Sequence, residues 1–109
     1  EHSVDYSDIG IKVASMVSTG KYARGIRLCG TGIGMSMVAN RFPRVRAALC
    51  TDLFSAIMSR RHNNANILVL GGRVTGEGLA LGMVQSWLET PFDGGRHQSR
   101  IDKFDLIGE

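Results

Sequence analysis

The chain has 109 residues and a mass of 11.8 kDa, with 43% hydrophobic and 21% charged residues, the usual make-up of one small globular domain. No stretch approaches the roughly 18 apolar residues that a membrane-spanning helix needs, and no basic segment followed by an apolar one opens the sequence as a secretion signal would. Two cysteines are too few for a disulfide scaffold, and no Cys-x-x-Cys or His-x-x-x-His spacing offers a zinc site. These features favour a single domain over residues 1–109 and a cytoplasmic location. The formal net charge of +3 suits a small anionic ligand better than nucleic acid or a membrane.

Hydrophobic spacing predicts helices and strands that alternate along the chain. In chain order they are a helix at residues 4–18, a strand at 25–29, a glycine-rich loop at 30–34, a helix at 35–40, a strand at 45–50, a helix at 53–61, a strand at 67–70, a helix from about 77 to 90 and a last helix at 96–106. Strands separated by helices imply right-handed crossovers, and hence an α/β fold with a Rossmann-like parallel sheet and helices on both faces. Ligands in such sheets bind at the carboxyl ends of the strands. With only about three strands, we expect an apolar sheet edge that favours pairing with another chain.

The glycine-rich loop after the first strand has the sequence Gly30-Thr31-Gly32-Ile33-Gly34. Its spacing differs from the Gly-x-Gly-x-x-Gly dinucleotide motif, which argues against a nucleotide-binding module. Glycines nevertheless let successive backbone N–H groups face an anion, and the helix that follows adds positive potential. The loop therefore predicts a phosphate or oxyanion site, and the alternative is a tight turn without a ligand.

Cys29 ends the strand at the mouth of this loop, where N–H dipoles could stabilise a thiolate. A strand cysteine is more often a small buried hydrophobic residue, but the adjacent loop favours a base or nucleophile. Cys50 also ends a strand, yet no glycine loop follows it, so we interpret it as structural.

Basic residues form two further candidate groups. His62 follows a helix and could exchange protons near neutral pH, although it could also be a simple helix cap. Arg96 and Arg100 are four residues apart on one helix face, with His97 between them, which suits phosphate binding. An exposed basic face is the alternative. Arg73 follows the third strand and is a further candidate at a carboxyl end.

Six motifs follow one another along nearly the whole chain: Cys29-Gly30-Thr31-Gly32-Ile33-Gly34-Met35-Ser36, Ala39-Asn40, Arg46-Ala47-Ala48-Leu49, His62-Asn63-Asn64-Ala65-Asn66, Gly71-Gly72-Arg73 and Gly94-Gly95-Arg96-His97. In this order they closely resemble type B ribose-5-phosphate isomerase and the related galactose-6-phosphate isomerases. The cysteine and the Gly-Gly-Arg-His segment favour the ribose branch. The resemblance implies a five-stranded parallel sheet, no metal or nucleotide cofactor, and a homodimer or homotetramer whose active sites combine residues of two subunits.

The resemblance also implies the reaction, which interconverts ribose 5-phosphate and ribulose 5-phosphate through an enediolate. Cys29 matches the catalytic base, and because Met35 stands where some members carry a glutamate base, no second base competes with it. Thr31 and the backbone of Gly30, Gly32, Ile33 and Gly34 would hold the oxyanion. His62 would open the sugar ring and Asn63 would hold sugar hydroxyls. Arg73, Arg96, His97 and Arg100 would surround the phosphate.

The family begins with a strand that ends in an Asp-His pair, then a helix and a second strand, whereas this sequence starts at the position of the second family helix. We therefore expect the N-terminal portion of the family domain to be absent. Two alternatives stay open beside ribose-5-phosphate isomerisation. One is an isomerase of a six-carbon phosphosugar such as allose or galactose 6-phosphate, and the other is a phosphosugar-binding remnant without catalysis.

Overall fold

A computed structural model describes residues 6–107, with side chains from residue 9 onward. The elements are helix α1 at Tyr6–Ser18, strand β1 at Gly25–Cys29, helix α2 at Ile33–Ala39, strand β2 at Ala47–Leu49, helix α3 at Leu53–Arg61, strand β3 at Ile67–Gly71, helix α4 at Glu77–Glu89 and helix α5 at Arg96–Leu106. Residues 4 and 5, where the first helix was expected to begin, lie outside the described part. The predicted bounds of β1, α3 and α5 are confirmed.

The three strands form one parallel sheet in the order β1-β3-β2. Gly25 pairs with Ile67 at the start of the β1–β3 ladder and Cys29 with Gly71 at its end, while Ala47 of β2 also pairs with Ile67. β3 is the central strand, and all five of its residues are buried, as expected of a parallel strand covered on both faces. The α/β fold with a parallel sheet is therefore confirmed.

Helices cover both faces of the sheet, and the alternating side chains of β3 divide the core in two. Ile67 and Val69 point toward α1 and α2, where they join Ala14, Val17, Met35 and Ala39. Leu68 and Leu70 point toward α3 and α4, where they join Ala56, Met83 and Trp87. This period of two along a strand is what allows one short run of apolar residues to support both layers.

Two elements, α2 and β2, differ most from their predicted bounds. α2 begins at Ile33 rather than at residue 35, because Gly32 has a left-handed backbone with φ of 83° and its carbonyl accepts from the Ser36 N–H at 3.0 Å. Gly34 therefore belongs to the first helical turn and not to the loop. β2 covers three residues rather than six, since the Val45 N–H already closes a turn with the Phe42 carbonyl at 3.2 Å.

The outer strand β1 exposes apolar side chains, as the small number of strands led us to expect. Ile26 is 38% exposed and Leu28 is 60% exposed. Such an edge favours pairing with another chain. Within residues 6–107, none of the helices has the length and apolar character to cross a lipid bilayer.

Candidate active site

The carboxyl ends of β1 and β3 form the rim of a cleft of about 390 Å³. The segment after β3 holds the loop after β1 through two backbone bonds, from the Gly72 N–H to the Cys29 carbonyl at 2.5 Å and from the Arg73 N–H to the Gly30 carbonyl at 2.8 Å. The cleft is lined by Arg27, Leu28, Cys29, Gly30, Thr31, Gly32 and Arg73. Five of these seven residues were predicted from sequence, namely Cys29, Gly30, Thr31, Gly32 and Arg73, whereas the predicted loop residues Ile33 and Gly34 do not line the cleft.

Close packing fixes Thr31 at this rim. A Cβ added to Gly71 would lie 2.5 Å from the Thr31 carbonyl oxygen, and one added to Gly32 would lie 2.5 Å from Leu49 Cδ1. Only glycine leaves room for the loop at these two positions. Thr31 Oγ1 accepts from the Ile33 N–H at 3.4 Å, so the threonine side chain stays over the loop while the residue itself remains exposed.

The cleft is electropositive and holds one thiol. Arg73 lies over the loop, with its Nε 3.6 Å from the position that a Cβ on Gly30 would occupy. Arg27 lines the same cleft, and its buried Nε has no hydrogen-bond partner among the described residues. Cys29 is half-buried and lines the cleft with both arginines. A cleft with two guanidinium groups suits an anionic ligand.

Cys50 behaves differently although it also follows a strand end. Its side chain is 2% exposed, and burial raises its pKa to about 11, with a lowering contribution from the Ser59 side chain and a raising one from Asp52. Cys50 is therefore a protonated core thiol at neutral pH, in agreement with its interpretation as structural.

The second group of predicted residues surrounds a pair of stacked imidazoles. His62 follows the last residue of α3, and its ring stacks on that of His97 with centroids 4.3 Å apart and planes 13° apart. His97 lies in the first turn of α5 and is 7% exposed. Gly94 and Gly95 precede it with φ of 70° and 56°, a left-handed conformation that glycine adopts readily, and this turn points the helix start at His62.

The Cys29 group and the His62 group lie at opposite ends of the parallel strands, that is, at the carboxyl-terminal and amino-terminal edges of the sheet. The Asn66 carbonyl accepts from the Gly25 N–H at 2.8 Å, and the Asn66 N–H donates to the Arg46 carbonyl at 3.0 Å, so the turn that begins with His62 lies at the amino ends of the strands. Cys29 lies at the carboxyl ends. A five-residue strand such as β3 spans about 16 Å, whereas proton transfer needs contact at about 3 Å. One chain therefore does not bring Cys29 and His62 together.

The arginines divide in the same way. Arg96 and Arg100 are exposed on α5 beside His97, while Arg73 lies at the opposite edge with Cys29. Burial lowers the pKa of His97, and electrostatic repulsion from His62, Arg96 and Arg100 lowers it further, with a smaller opposite effect from Asp93. His97 is accordingly neutral at pH 7, in a region that favours an anion.

His62, Asp93 and His97 also have the donor atoms of a metal site, because one ligand atom from each lies within 4.8 Å of the others. The surrounding charges oppose this use. Arg61 Nε already lies 3.1 Å from Asp93 Oδ2, and Arg96 and Arg100 add positive potential at His97. The electrostatics of the cluster therefore favour a phosphate over a cation.

The lowered pKa of His97 predicts that acid destabilises the protein. Between the folded pKa and the ordinary value of 6.5, the unfolded chain binds more protons than the folded one, so the stability contributed by the neutral ring is complete above pH 6.5 and is lost as pH falls through the folded pKa. We expect the melting temperature to fall as the pH falls below the ordinary value of 6.5, and His97→Gln to flatten that dependence. His2→Gln is the control, and an unchanged slope in His97→Gln would contradict the prediction.

Three residues around the imidazole pair were not among the sequence candidates: Arg60, Arg61 and Asp93. The Asp93 N–H donates to the Arg61 carbonyl at 2.9 Å, so the segment before α5 is fastened to the end of α3. Arg60 is 4% exposed. One sequence feature points to Arg60: it lies on the apolar stripe of α3, where a charged residue is unusual.

Comparison with known proteins identifies the family. A family model for Ribose/Galactose Isomerase matches residues 1–104. The chain belongs to this family. It is 43% identical over 103 residues to ribose-5-phosphate isomerase B of Escherichia coli, covering 94% of this chain and 69% of that protein. It is 44% identical over 98 residues to D-erythrulose-4-phosphate isomerase of Pectobacterium atrosepticum, covering 90% of this chain and 64% of that protein.

The fold agrees with this assignment. The solved structure of Clostridium thermocellum ribose-5-phosphate isomerase B superposes with a TM-score of 0.92 at 54% identity, over 97% of this chain and 72% of that one. The resemblance to type B ribose-5-phosphate isomerases is thereby confirmed, and the chain is an enzyme of the sugar-phosphate isomerase class.

Proposed function

We propose that the chain interconverts ribose 5-phosphate and ribulose 5-phosphate, with Cys29 as the base. The observation that carries the proposal is the cleft that joins Cys29, Thr31 and Arg73 at the carboxyl ends of β1 and β3, in a chain of this isomerase family. The substrate is a phosphosugar, and the residues supply the proton transfers without a bound cofactor.

The chemistry is one proton transfer between adjacent carbons. The Cys29 thiolate removes the C2 proton of the open-chain aldose, and the electron pair forms the C1–C2 double bond of an enediolate while the negative charge develops on O1. Thr31 and the backbone N–H groups of the glycine loop stabilise that charge, the kind of preorganised donor set that contributes most to such reactions. The proton then returns from Cys29 to C1, and a proton passes from O2 to O1, which completes the ketose.

The ring must open before this step, and His62 is the residue proposed to open it. It donates a proton to the ring oxygen as the anomeric hydroxyl loses its own, which frees the C1 aldehyde. Asn63, exposed in the same turn, would bind sugar hydroxyls. Arg96, His97 and Arg100 would bind the phosphate, and a neutral His97 can donate one hydrogen bond there without adding charge.

The opposite positions of Cys29 and His62 require two chains for one active site. We propose a homodimer in which the Cys29 edge of one subunit faces the His62 edge of its partner. A two-fold axis then creates two equivalent composite sites. The exposed apolar side chains of Phe54, Phe104 and Ile107, which are 70%, 46% and 77% exposed, border the groove beside β2 and supply surface that association would bury.

The direct test is the initial rate of ribulose 5-phosphate formation from ribose 5-phosphate, measured with a metal chelator present. We expect saturable turnover that the chelator does not change. Ligand-dependent stabilisation without turnover would instead identify the binding remnant. Allose 6-phosphate and galactose 6-phosphate are measured alongside, and a higher kcat/KM for either would overturn the five-carbon assignment.

A four-carbon substrate is a second candidate, because the erythrulose-phosphate isomerase is as similar to this chain as the ribose-phosphate isomerase is. The two substrates differ in one useful way. Erythrose 4-phosphate carries its phosphate on the oxygen that would close a five-membered ring, so it remains an open-chain aldehyde or its hydrate. Its isomerisation needs the Cys29 base but no ring opening.

His62→Gln is therefore expected to lower kcat for ribose 5-phosphate by about 10²-fold, the usual contribution of a general acid, and to lower kcat for erythrose 4-phosphate far less. Initial rates with both substrates on the same preparation make each measurement a control for the other. An equal loss with both substrates would show that His62 acts in proton transfer or folding and not in ring opening.

A further inference from the structure

Arg60 is a buried charge without a buried counter-charge. It is 4% exposed, and among residues 6–107 its acceptors are neutral carbonyl oxygens. Its Nε donates to the Thr90 carbonyl at 3.1 Å, and its Nη1 donates to Asn64 Oδ1 at 2.8 Å and to the Ala65 carbonyl at 2.6 Å. The guanidinium also lies 5.7 Å from the centre of the Trp87 ring. These polar interactions of Arg60 are thus hydrogen bonds to neutral acceptors, whose geometry fixes the position of each partner.

Stability alone does not explain an arginine at this position. Burial lowers the pKa of Arg60, and the charges of Arg24 and Arg46 lower it further, so its environment disfavours the charged form. An apolar side chain of similar volume would pack beside Trp87 without that cost, and such replacements of buried charges are often neutral or stabilising. What an apolar side chain would not supply is the three hydrogen bonds.

Two of these bonds fix the turn that carries His62 and Asn63. The turn is bracketed by Arg60 on one side and by Asn64 and Ala65 on the other. Asn64 has φ of 47°, a left-handed conformation that is uncommon for residues other than glycine. Its side chain is held by the Arg60 guanidinium while its N–H donates to the Arg60 carbonyl at 3.2 Å. Arg60 therefore closes the turn twice, once through its guanidinium and once through its backbone carbonyl.

The third bond reaches the segment that carries His97. Thr90 follows α4, and from there the chain runs through the Gly94-Gly95 turn to the start of α5. Through its Nε and Nη1 atoms, Arg60 thus joins the segment of His62 to the segment of His97. The two rings stack between these segments.

We propose that Arg60 is a positioning residue that holds His62 and His97 in register for the reaction by tying together the two segments that carry them. The inference rests on the proposed role of His62 in ring opening. A displacement of about 1 Å in a catalytic group can cost about 10²-fold in rate. Arg60 would accordingly affect kcat without touching the substrate.

The test compares Arg60→Met with Arg60→Lys and with Arg24→Met in the full chain. Methionine keeps the length of the side chain and removes its donors, and lysine keeps the charge but not the planar fork. Arg24 is the matched control, because it lies 5.6 Å from the same Trp87 ring and donates to a backbone carbonyl, that of Leu88 at 3.1 Å. Those contacts are with α4 alone.

Two measurements are made on each variant: the NOE between the ring protons of His62 and His97, and kcat and KM for ribose 5-phosphate. We expect Arg60→Met to lose the NOE and to lower kcat by about 10- to 100-fold with little change in KM. Arg60→Lys should recover part of both, and Arg24→Met should change neither. Retention of the NOE and of kcat in Arg60→Met, or equal losses in Arg24→Met, overturns the proposal.

The two proposals fail in different ways. If the unmodified chain does not isomerise ribose 5-phosphate, the proposed function is wrong, and the NOE still decides whether Arg60 holds the imidazole pair. If the unmodified chain is active and Arg60→Met is equally active, the proposed function stands and the positioning role does not.

Discussion

Cys29→Ala is expected to lower kcat for ribose 5-phosphate by about 10³-fold, within the range of about 10²- to 10⁴-fold that a general base contributes. The reason is geometric, because Cys29 is the one thiol in the cleft that also holds Thr31 and Arg73. Removal of its Sγ leaves the glycine loop and both arginines in place. The stabilisation of the protein by ribulose 5-phosphate, measured as a shift in melting temperature, should therefore change little.

Cys50→Ala is the matched control for this prediction. It is the same substitution directly after β2, the other outer strand of the sheet, but the thiol is 2% exposed and its pKa is raised to about 11. We expect this variant to be less stable, since a buried side chain loses contacts, and to keep its kcat below its melting temperature. Full activity in Cys29→Ala, or a matching loss in Cys50→Ala, would remove Cys29 from the mechanism.

Much of the fold follows from local patterns in the sequence. The bounds of α3 are predictable because Asp52 caps it, with the Ser55 N–H donating to Asp52 Oδ1 at 2.7 Å, and because the asparagine-rich turn ends it. β3 is predictable over residues 67–70 because four consecutive apolar residues favour a strand buried on both faces, and the structure extends it by one residue to Gly71. The paired glycines at 94 and 95 locate the start of α5, because both have positive φ and the helix begins at the next residue.

Other features depend on contacts between distant parts of the chain. Leu79 and Leu88 share the apolar stripe of α4 with Met83 and Trp87, yet Leu79 and Leu88 are 45% and 49% exposed while Met83 and Trp87 are buried, so the stripe alone does not show which of its side chains the sheet covers. The start of α2 depends on the left-handed backbone of Gly32, which residue spacing does not reveal.

The candidate site shows the same division. The Cys29 loop is local, so its residues are visible as one motif, and its closeness to Arg73 follows from adjacent carboxyl ends of parallel strands. The stacking of His62 on His97 joins residues 35 positions apart, and no local pattern indicates it. Arg60 is recognisable only once its three acceptors are seen to belong to two different segments.

The division of the site between two sheet edges leads to a prediction about mixed dimers. Cys29→Ala and His62→Gln are each expected to have low activity alone, but a dimer with one chain of each kind contains one intact site, built from the Cys29 of one chain and the His62 of the other. Random exchange gives mixed dimers in about half of the population, so the whole mixture should recover about a quarter of the unmodified activity. The isolated mixed dimers, with one intact site in two, should recover about half.

The measurement uses two affinity tags, one on each variant, and assays the doubly captured fraction after co-expression. Cys29→Ala paired with Thr31→Ala is the matched control, because both changes lie at the same edge and every site in that dimer keeps one defect. Recovery with His62→Gln but not with Thr31→Ala requires composite sites, since no single chain in the mixture holds both intact groups. Absence of recovery in captured mixed dimers would mean that His62 does not act in the partner's site, and the opposite positions of Cys29 and His62 within one chain would then remove His62 from the mechanism.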